Sequence, residues 1–389
     1  MSDSFRVALV TPHDPAQPRA FSGIIHFAVD ALRRRNVVVE WVGPPAADAG
    51  LRQRVRRTLR RLRLRASDAP DPVQAARAGA IAVQNRLLRG HYDAVLAFVA
   101  SHAFALVATR LPVVYATDAV FAAMPGFYEN FTNLPAAVHE VLDRHERAAL
   151  DKASLVQVAS EWAKEAAMRH YGVAEGKIRV VPYGANLRAV PAPRVRAVDP
   201  GKEVRFLFLA KADWERKGGP DAVAVVRALR RRGVPGRLRI VGLEPGGLAG
   251  TEGVDVIGYL DKGDPVQAAR LDEELHQAHF CLLPTRAETV GIAFCEAAAH
   301  ALPAVARRVG GVPSVVEDGR TGLLLPPEAG AEEFARAIGE LVAAPARYAA
   351  MSAAARRAFE ERLNWDVWAA ATEDMLRSVA QRPRAQRGA

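Results

Sequence analysis

The sequence predicts an α/β protein with two doubly wound domains, each a parallel β-sheet covered by helices. Short runs of β-branched and other apolar residues recur along the chain, and segments with helical periodicity stand between them, as in βαβ units. The alternation occurs twice, and a stretch with neither period separates the two series. The length of 389 residues also favours two domains over one.

The first series predicts an N-terminal domain over residues 1–186. Its strand candidates are almost continuously apolar, as expected for parallel strands that are buried on both faces. They cover residues 5–11, 37–42, 94–99, 112–117, 155–159 and 178–183.

Residues 187–203 contain three Pro and mixed charges, which indicates a linker. The second series follows and predicts a C-terminal domain over residues 204–362. Its strand candidates cover residues 204–210, 238–243, 254–259, 280–285, 304–307 and 322–325. Residues 363–389 are predicted to form a last helix, whose Trp365 and Trp368 pack back on the body, and then a basic tail.

Two such domains joined by a linker are expected to face each other across a cleft. Ligands of open α/β sheets bind outside the carboxyl ends of the strands, where the strand order reverses. The chemistry should therefore lie in loops that follow strands.

The loop after strand 280–285 leads into a helix near Ile292 and carries two acidic residues. The free N–H groups and the dipole at a helix start form an anion site, and Gly291 lets a phosphate approach the backbone closely. Glu288 before the helix and Glu296 within it could bind sugar hydroxyls on either side of that anion. The alternative is that both carboxylates only favour the helix N-terminus.

Two further loops carry candidate residues. Lys211, Arg216 and Lys217 follow strand 204–210, and cations at this position suit a diphosphate, although a solvated basic loop is the alternative. Gly23 precedes an amphipathic helix after the first strand, where it either approaches a ligand or simply starts the helix.

Several protein classes are excluded by what the sequence lacks. There is no G-x-G-x-x-G after the first strand and no P-loop, which argues against dinucleotide dehydrogenases and P-loop nucleotidases. Cys281 and Cys295 are too few for a disulfide framework or a four-cysteine zinc site. Neither a signal-peptide core nor a membrane-spanning run is expected, so we expect a cytoplasmic protein.

These loops together resemble the retaining glycosyltransferases of family 4, which have the GT-B fold of two Rossmann-like domains. Glu288 and Glu296 have seven residues between them, as in the family's E-x7-E motif, and Lys211 and Lys217 have five, where members commonly show Arg-x5-Lys-Gly. The sequences VVPYGANL (180–187) and GGVPSVVEDGRTGLLLP (310–326) are similar to the family's closing strand of the first domain and to its Gly-Gly loop. The resemblance covers most of the chain and is strongest over residues 204–325.

The resemblance implies transfer of a hexose-type sugar from a nucleotide-diphosphate sugar to a hydroxyl acceptor, with retention of configuration. Glu288 would lie against the transferred sugar and Glu296 would bind the ribose, while Lys211 and Lys217 would neutralise the diphosphate. The other implied donor contacts are the amides of Gly291, Ile292 and Ala293 to the distal phosphate, Gly258 and Tyr259 to the base, and Gly23 to the donor phosphates. No D-x-D pair follows a strand, so this scheme requires neither a metal nor another cofactor.

Two departures from the family pattern matter. Lys211 replaces the usual Arg, so a point charge replaces a bidentate fork. Asp118 stands where many members have a His near the reacting sugar, which makes it a candidate catalytic residue beside Glu288 and Lys217, although it could instead cap a helix before Ala119. A nucleotide-sugar epimerase or phosphorylase of the same fold, or a non-catalytic nucleotide-sugar-binding regulator, are the alternatives.

Residues 51–65 contain eight Arg, with apolar residues at helical spacing, and are predicted to form a basic amphipathic helix. Such a helix could lie on anionic lipid at the inner face of the membrane and bring the enzyme to a lipid-linked acceptor; a solvated surface helix is the alternative. The formal net charge of +10 comes with no RNA-binding signature, so no nucleic-acid partner is expected.

Overall fold

The computed structural model describes residues 4–43, 72–194 and 196–381. It contains two parallel sheets of six strands each, in agreement with the predicted fold class. The strands are β1 (Arg6–Val10), β2 (Val38–Trp41), β3 (Ala94–Phe98), β4 (Val113–Thr117), β5 (Leu155–Val158), β6 (Ile178–Val180), β7 (Val204–Leu209), β8 (Gly236–Val241), β9 (Val254–Gly258), β10 (Phe280–Leu282), β11 (Ala304–Arg307) and β12 (Gly322–Leu325). Each strand overlaps one of the predicted segments.

Helices stand between most of these strands and follow the second sheet. Those of the described residues are α1 (Ile24–Arg34), α2 (Pro72–Arg89), α3 (Ser101–Phe104), α4 (Glu129–Thr132), α5 (Ala136–Lys152), α6 (Glu161–Tyr171), α7 (Gly219–Arg231), α8 (Pro265–Gln277), α9 (Ile292–Ala299), α10 (Ala331–Val342), α11 (Pro345–Glu361) and α12 (Trp365–Gln381).

The chain divides into two units. The first contains residues 1–158, 163–180 and 369–389, and the second contains residues 159–162 and 181–368. The first sheet has the order β2-β1-β3-β4-β5-β6, and all of its strand pairs are parallel. Every residue of β3 and β4 is buried, because their Val, Ala, Leu, Phe and Tyr side chains fill both faces of the sheet.

The second sheet has the order β12-β11-β10-β7-β8-β9. The order reverses between β7 and β10, so the carboxyl ends of these two strands form the switch point where ligands of such sheets bind. Phe206 of β7 and Phe280 of β10 pair in register and stack with their ring centroids 5.5 Å apart. This buried pair fixes the two strands whose loops contain the predicted site.

Residues 187–194 and 196–203 form neither helix nor strand, yet Arg196 within this stretch is buried. Its guanidinium donates hydrogen bonds to the carbonyl oxygens of Leu275 (2.6 Å), His276 (3.0 Å), Ala278 and His300 (2.7 Å). These carbonyls lie at the C-terminal ends of α8 and α9, where helices leave acceptors unsatisfied and favour a cation. Burial lowers the pKa of Arg196 to about 10, so the side chain still carries its charge at neutral pH.

The last helix, α12, contains residues of both units. Trp365 is buried at its start, stacks on Tyr183 at 5.7 Å and donates a hydrogen bond from Nε1 to Asn186 Oδ1 (2.9 Å) within the second unit. From Ala369 onward the residues belong to the first unit, where the amide of Gln157 donates to Thr372 Oγ1 (3.0 Å).

The predicted basic helix over residues 51–65 lies outside the described residues. Among the helices that are described, none combines the length and the apolar character needed to cross a membrane. Within the same part of the chain, no group of three or more His, Cys, Asp or Glu side chains is arranged to hold a metal ion.

Candidate functional site

Two loops at the switch point of the second sheet are joined by Arg216. Its guanidinium donates a hydrogen bond to the carbonyl oxygen of Ala287 (2.7 Å), and its own carbonyl oxygen accepts one from the backbone N–H of Arg286 (2.8 Å). The loop after β7 and the loop after β10 are therefore held together by Arg216, a basic residue that the sequence grouped with Lys211 and Lys217.

The structure brings Lys217 and Glu288 together. The ammonium of Lys217 forms an ion pair with Glu288 Oε2, and the two side chains are 17% and 9% exposed. The backbone N–H of Lys217 donates to the carbonyl oxygen of Asp213 (2.9 Å), which fixes the start of its side chain. Lys211 lies earlier in the same loop, directly after the end of β7, and is exposed.

Gly291 opens helix α9 beside this ion pair. Its φ of +86° is in the left-handed region, and a Cβ atom at this position would lie 2.5 Å from the ring of Phe294. The helix begins at Ile292, and Ile292 and Ala293 are only half-buried, whereas the rest of α9 is buried. The unsatisfied N–H groups of the first turn and the helix dipole make this point favourable for an anion.

The Gly-Gly loop holds the backbone of Glu288 from the other side. The N–H of Gly311 donates to the carbonyl oxygen of Glu288 (3.0 Å), and a Cβ atom on Gly311 would overlap the carbonyl oxygen of Thr289. Only glycine allows this close approach, so the loop at residues 310–311 sets the position of the carboxylate.

Glu296 is paired with a lysine that the sequence reasoning missed. Lys262 forms an ion pair with Glu296 Oε1 and donates to the carbonyl oxygen of Asn186 (3.3 Å). The side chain of Glu296 is 4% exposed. Lys262 lies three residues after Tyr259, in the loop that follows the carboxyl end of β9. This position was the one sequence signal that could have made Lys262 a candidate site residue.

Gly258 ends β9 and Tyr259 follows it, at the same edge of the sheet. The carbonyl oxygen of Gly258 accepts a hydrogen bond from the N–H of Gly242 (2.8 Å), which ties the ends of β8 and β9 together. Tyr259 is 42% exposed, so part of an aromatic side chain is accessible here.

In the first unit, Gly23 stands at the N-cap of α1, and Asp118 is half-buried directly after β4. The Oγ1 of Thr117 donates to the carbonyl oxygen of Ala119 (2.6 Å) and makes the turn at this point. The next helical turn has Val120 at its N-cap and no side-chain cap. The alternative that Asp118 caps a helix is therefore not supported.

Glu146 on α5 is a second residue that the sequence reasoning missed. It is 4% exposed and accepts a hydrogen bond from the hydroxyl of Tyr115 (2.9 Å). Burial raises its pKa to about 7, and the negative charges of Asp118 and Asp143 act in the same direction. The signal was available, because Glu146 shares a buried helical stripe with Ala149 and Leu150.

As the pH rises, the free energy of unfolding of Glu146→Gln should increase relative to that of the wild type. Above a pH of about 4.5 the unfolded chain releases a proton that the folded protein keeps up to about 7, so the wild-type free energy of unfolding falls over this window. Gln does not titrate, so the stability difference between variant and wild type should shift in the variant's favour by about 2 kcal/mol between pH values of about 5 and 8.

Urea titrations at the two pH values measure this difference. Glu140→Gln, on the exposed face of the same helix, is the matched control and should show no such change. An equal difference at both pH values for Glu146→Gln would contradict the raised pKa.

Comparison with known proteins assigns the chain to a family. Residues 5–189 match the model of "Glycosyltransferase Family 4", and residues 203–344 match that of "Glycosyl transferases group 1". A D-inositol 3-phosphate glycosyltransferase of Streptomyces scabiei is 31% identical over 315 residues, which cover 74% of this chain and 68% of that protein. One of Kineococcus radiotolerans is 33% identical over 247 residues, so this chain spans little more than half (56%) of that relative's length.

Solved structures show the same fold. Sucrose-phosphate synthase from Thermosynechococcus elongatus has a TM-score of 0.69 at 19% identity and covers 96% of this chain and 99% of its own. Anabaena HepE in complex with UDP and glucose has a TM-score of 0.60 at 17% identity, over 96% and 100%. The two sheets and these structures show the GT-B fold, and the family models and the Streptomyces relative place the chain among the glycosyltransferases, which are transferase enzymes. The chain belongs to glycosyltransferase family 4, as its loops predicted.

Proposed function

We propose that this enzyme moves a hexose-type sugar from a nucleotide-diphosphate sugar to a hydroxyl acceptor, with retention of configuration and without a metal ion. The Lys217–Glu288 ion pair beside the N-terminus of α9 carries the proposal. It combines a cation, a carboxylate and a helix N-terminus at the switch point of one sheet, which is the combination that a departing diphosphate and a reacting sugar require.

The chemistry follows from the charge that develops in the reaction. As the glycosidic bond breaks, negative charge grows on the leaving diphosphate and positive charge grows on the sugar ring. In our proposal the amides of Gly291, Ile292 and Ala293 bind the distal phosphate, with Lys211 and Lys217 alongside, while Glu288 lies against the sugar. Fixed donors of this kind act without reorganisation, and the loss of one typically costs about 10²- to 10³-fold in rate.

The remaining residues complete the donor and acceptor contacts. Glu296 binds the ribose hydroxyls, and Gly258 and Tyr259 contact the base. We further propose that Gly23 binds the donor phosphates and that Asp118 acts on the reacting sugar.

The comparisons suggest which substrates to test first. The relatives named above are D-inositol 3-phosphate glycosyltransferases, and HepE was solved with UDP and glucose, so inositol 3-phosphate and UDP-glucose are the first acceptor and donor. A lipid-linked acceptor, with an anionic membrane surface approached by the eight Arg of residues 51–65, is the second acceptor class in this proposal.

A nucleoside diphosphate should raise the melting temperature of the protein. A ligand at 100 times its dissociation constant stabilises by about 2.7 kcal/mol, which corresponds to about 5 to 10 °C for a unit of this size. A thermal-shift panel of UDP, GDP, ADP and dTDP measures the effect, with inorganic phosphate as the control. The proposal fails if no diphosphate raises the melting temperature more than phosphate does.

Product analysis separates the alternatives. Incubation with UDP-glucose and inositol 3-phosphate, in the presence of EDTA, should give a glycoside with the anomeric configuration of the donor. An epimerase would convert the donor without an acceptor, a phosphorylase would need inorganic phosphate, and a regulator would bind nucleotide without forming product.

A further inference from the structure

The pairing of Glu296 with Lys262 is an arrangement that neither the sequence motifs nor the roles proposed above account for. Glu296 lies in an early turn of α9 and is almost completely buried, whereas Lys262 comes from a different loop, between β9 and α8. The two residues are 34 positions apart in sequence. The contact therefore depends on the tertiary structure and is not a local helix pair.

Lys262 is held in place by more than the carboxylate. Its ammonium also donates to the carbonyl oxygen of Asn186 (3.3 Å), and Asn186 is itself buried with its side chain fixed by Trp365 Nε1 (2.9 Å). An ammonium has three donors, so it can bridge a backbone carbonyl and a carboxylate at once. Two other parts of the second unit, the segment at Asn186 and helix α9, thus contact the Lys262 nitrogen atom.

The loop that carries Lys262 has a defined turn. The N–H of Gly263 donates to Asp261 Oδ1 (2.9 Å), and Asp264 caps α8 by accepting from the N–H groups of Val266 (2.9 Å) and Gln267 (3.1 Å). The same loop starts immediately after Tyr259. Lys262 therefore connects the segment proposed to contact the base with the carboxylate proposed to bind the ribose.

Charge and burial explain what the lysine does for the carboxylate. A buried carboxylate without a counter-ion either takes up a proton or turns towards water. Either change removes the acceptor geometry needed for two neighbouring hydroxyl groups. With Lys262 on one oxygen, the carboxylate keeps its orientation, and its remaining lone pairs stay available to a ligand.

We propose that Lys262 is a positioning residue that holds the Glu296 carboxylate for the 2′- and 3′-hydroxyls of the donor ribose, and so makes the enzyme select ribonucleotides over deoxyribonucleotides. This inference rests on the proposed function. Beyond that function, it specifies how the ribose subsite selects its ligand and assigns this selection to Lys262. A site that hydrogen-bonds a hydroxyl rejects an analogue without it, because its buried polar group is left unpaired.

The test compares Lys262→Met with the wild type, using UDP, 2′-deoxy-UDP and 3′-deoxy-UDP as probes in calorimetric titrations. The wild type should bind UDP at least about 10-fold more tightly than either deoxy form, since hydrogen bonds to charged groups are the strong ones. Lys262→Met should bind UDP about 10-fold more weakly than the wild type and should bind the three probes within about 3-fold of one another.

Controls separate positioning from folding and from direct phosphate binding. Lys202→Met removes an exposed lysine of the same unit and should leave all three affinities unchanged. Lys262→Arg should restore most of the preference for UDP, because it restores the charge beside Glu296. Glu296→Gln should lose the preference as Lys262→Met does, and the double variant should be no worse, since the two residues act as one pair.

The inference is overturned if Lys262→Met weakens all three probes equally, because the ratio would then not depend on this lysine. It is also overturned if Lys262→Met keeps wild-type affinities. A wild type that binds neither these three probes nor any diphosphate of the thermal-shift panel would instead show that the proposed function itself is wrong.

Discussion

Glu288→Gln is expected to lower the rate of sugar transfer by about 10³-fold while the protein remains folded. The substitution keeps the shape of the side chain and removes the negative charge that is proposed to lie against the sugar as positive charge develops there. The backbone at this position is held independently of the side chain, by the Gly311 N–H and by the contact of Arg216 with Ala287. The loss should therefore appear mainly in kcat, with at most a small fall in the melting temperature, because the Gln amide oxygen can still accept a hydrogen bond from the Lys217 ammonium.

Initial rates of UDP release from UDP-glucose in the presence of inositol 3-phosphate measure this effect, with thermal melts recorded in parallel. Glu340→Gln is the matched control, because Glu340 forms an exposed ion pair with Arg336 within α10. Wild-type turnover by Glu288→Gln would remove this residue from the mechanism.

Lys217→Met is expected to lower the transfer rate by about 10²-fold, through loss of the cation that stabilises the leaving diphosphate. It should also weaken UDP binding, because the diphosphate of the product carries the same charge as the leaving group. The methionine keeps an unbranched apolar stem of similar length, and the backbone hydrogen bond from Lys217 to Asp213 does not depend on the side chain. A reduced melting temperature is expected as well, since the buried Glu288 carboxylate loses its partner.

The matched control is Lys164→Met, which breaks a lysine–glutamate pair with Glu175 (2.8 Å) in the first unit and should leave the rate unchanged. In the double variant Lys217→Met with Glu288→Gln, the loss of activation free energy should be smaller than the sum of the losses in the two single variants, because the two side chains form one pair. Undiminished affinity for UDP in Lys217→Met would argue against a role for this lysine at the diphosphate.

The strands and helix α9 were predictable because their signals are local. A run such as the one in β7 is apolar on both faces, and the apolar segment that begins at Ile292, directly after Gly291, indicates a buried helix. The spacing of Glu288 and Glu296 is likewise a property of one short segment. These features need no knowledge of what lies opposite them in the fold.

The partners of those residues were not predictable in the same way. Lys262 contacts Glu296 across 34 residues, and only the strand order brings their loops together. Arg196 binds backbone carbonyls, which leave no trace in the sequence of the helices that supply them. Glu146 could have been found from its buried stripe, but its raised pKa comes first from burial and then from the charge of Asp118, and both follow from the packing of α5 against β4.

The hydrogen bonds from Arg196 to the helix carbonyl oxygens affect how chimaeric enzymes can be made by domain exchange. A graft that begins at β7, at Val204, would leave Arg196 behind and remove the guanidinium that donates to the carbonyl oxygens of Leu275, Ala278 and His300. A splice point near Val181 keeps the arginine with the helices it serves. Transplants made at this earlier point should retain the thermal stability of the parent, and those made at the later point should not.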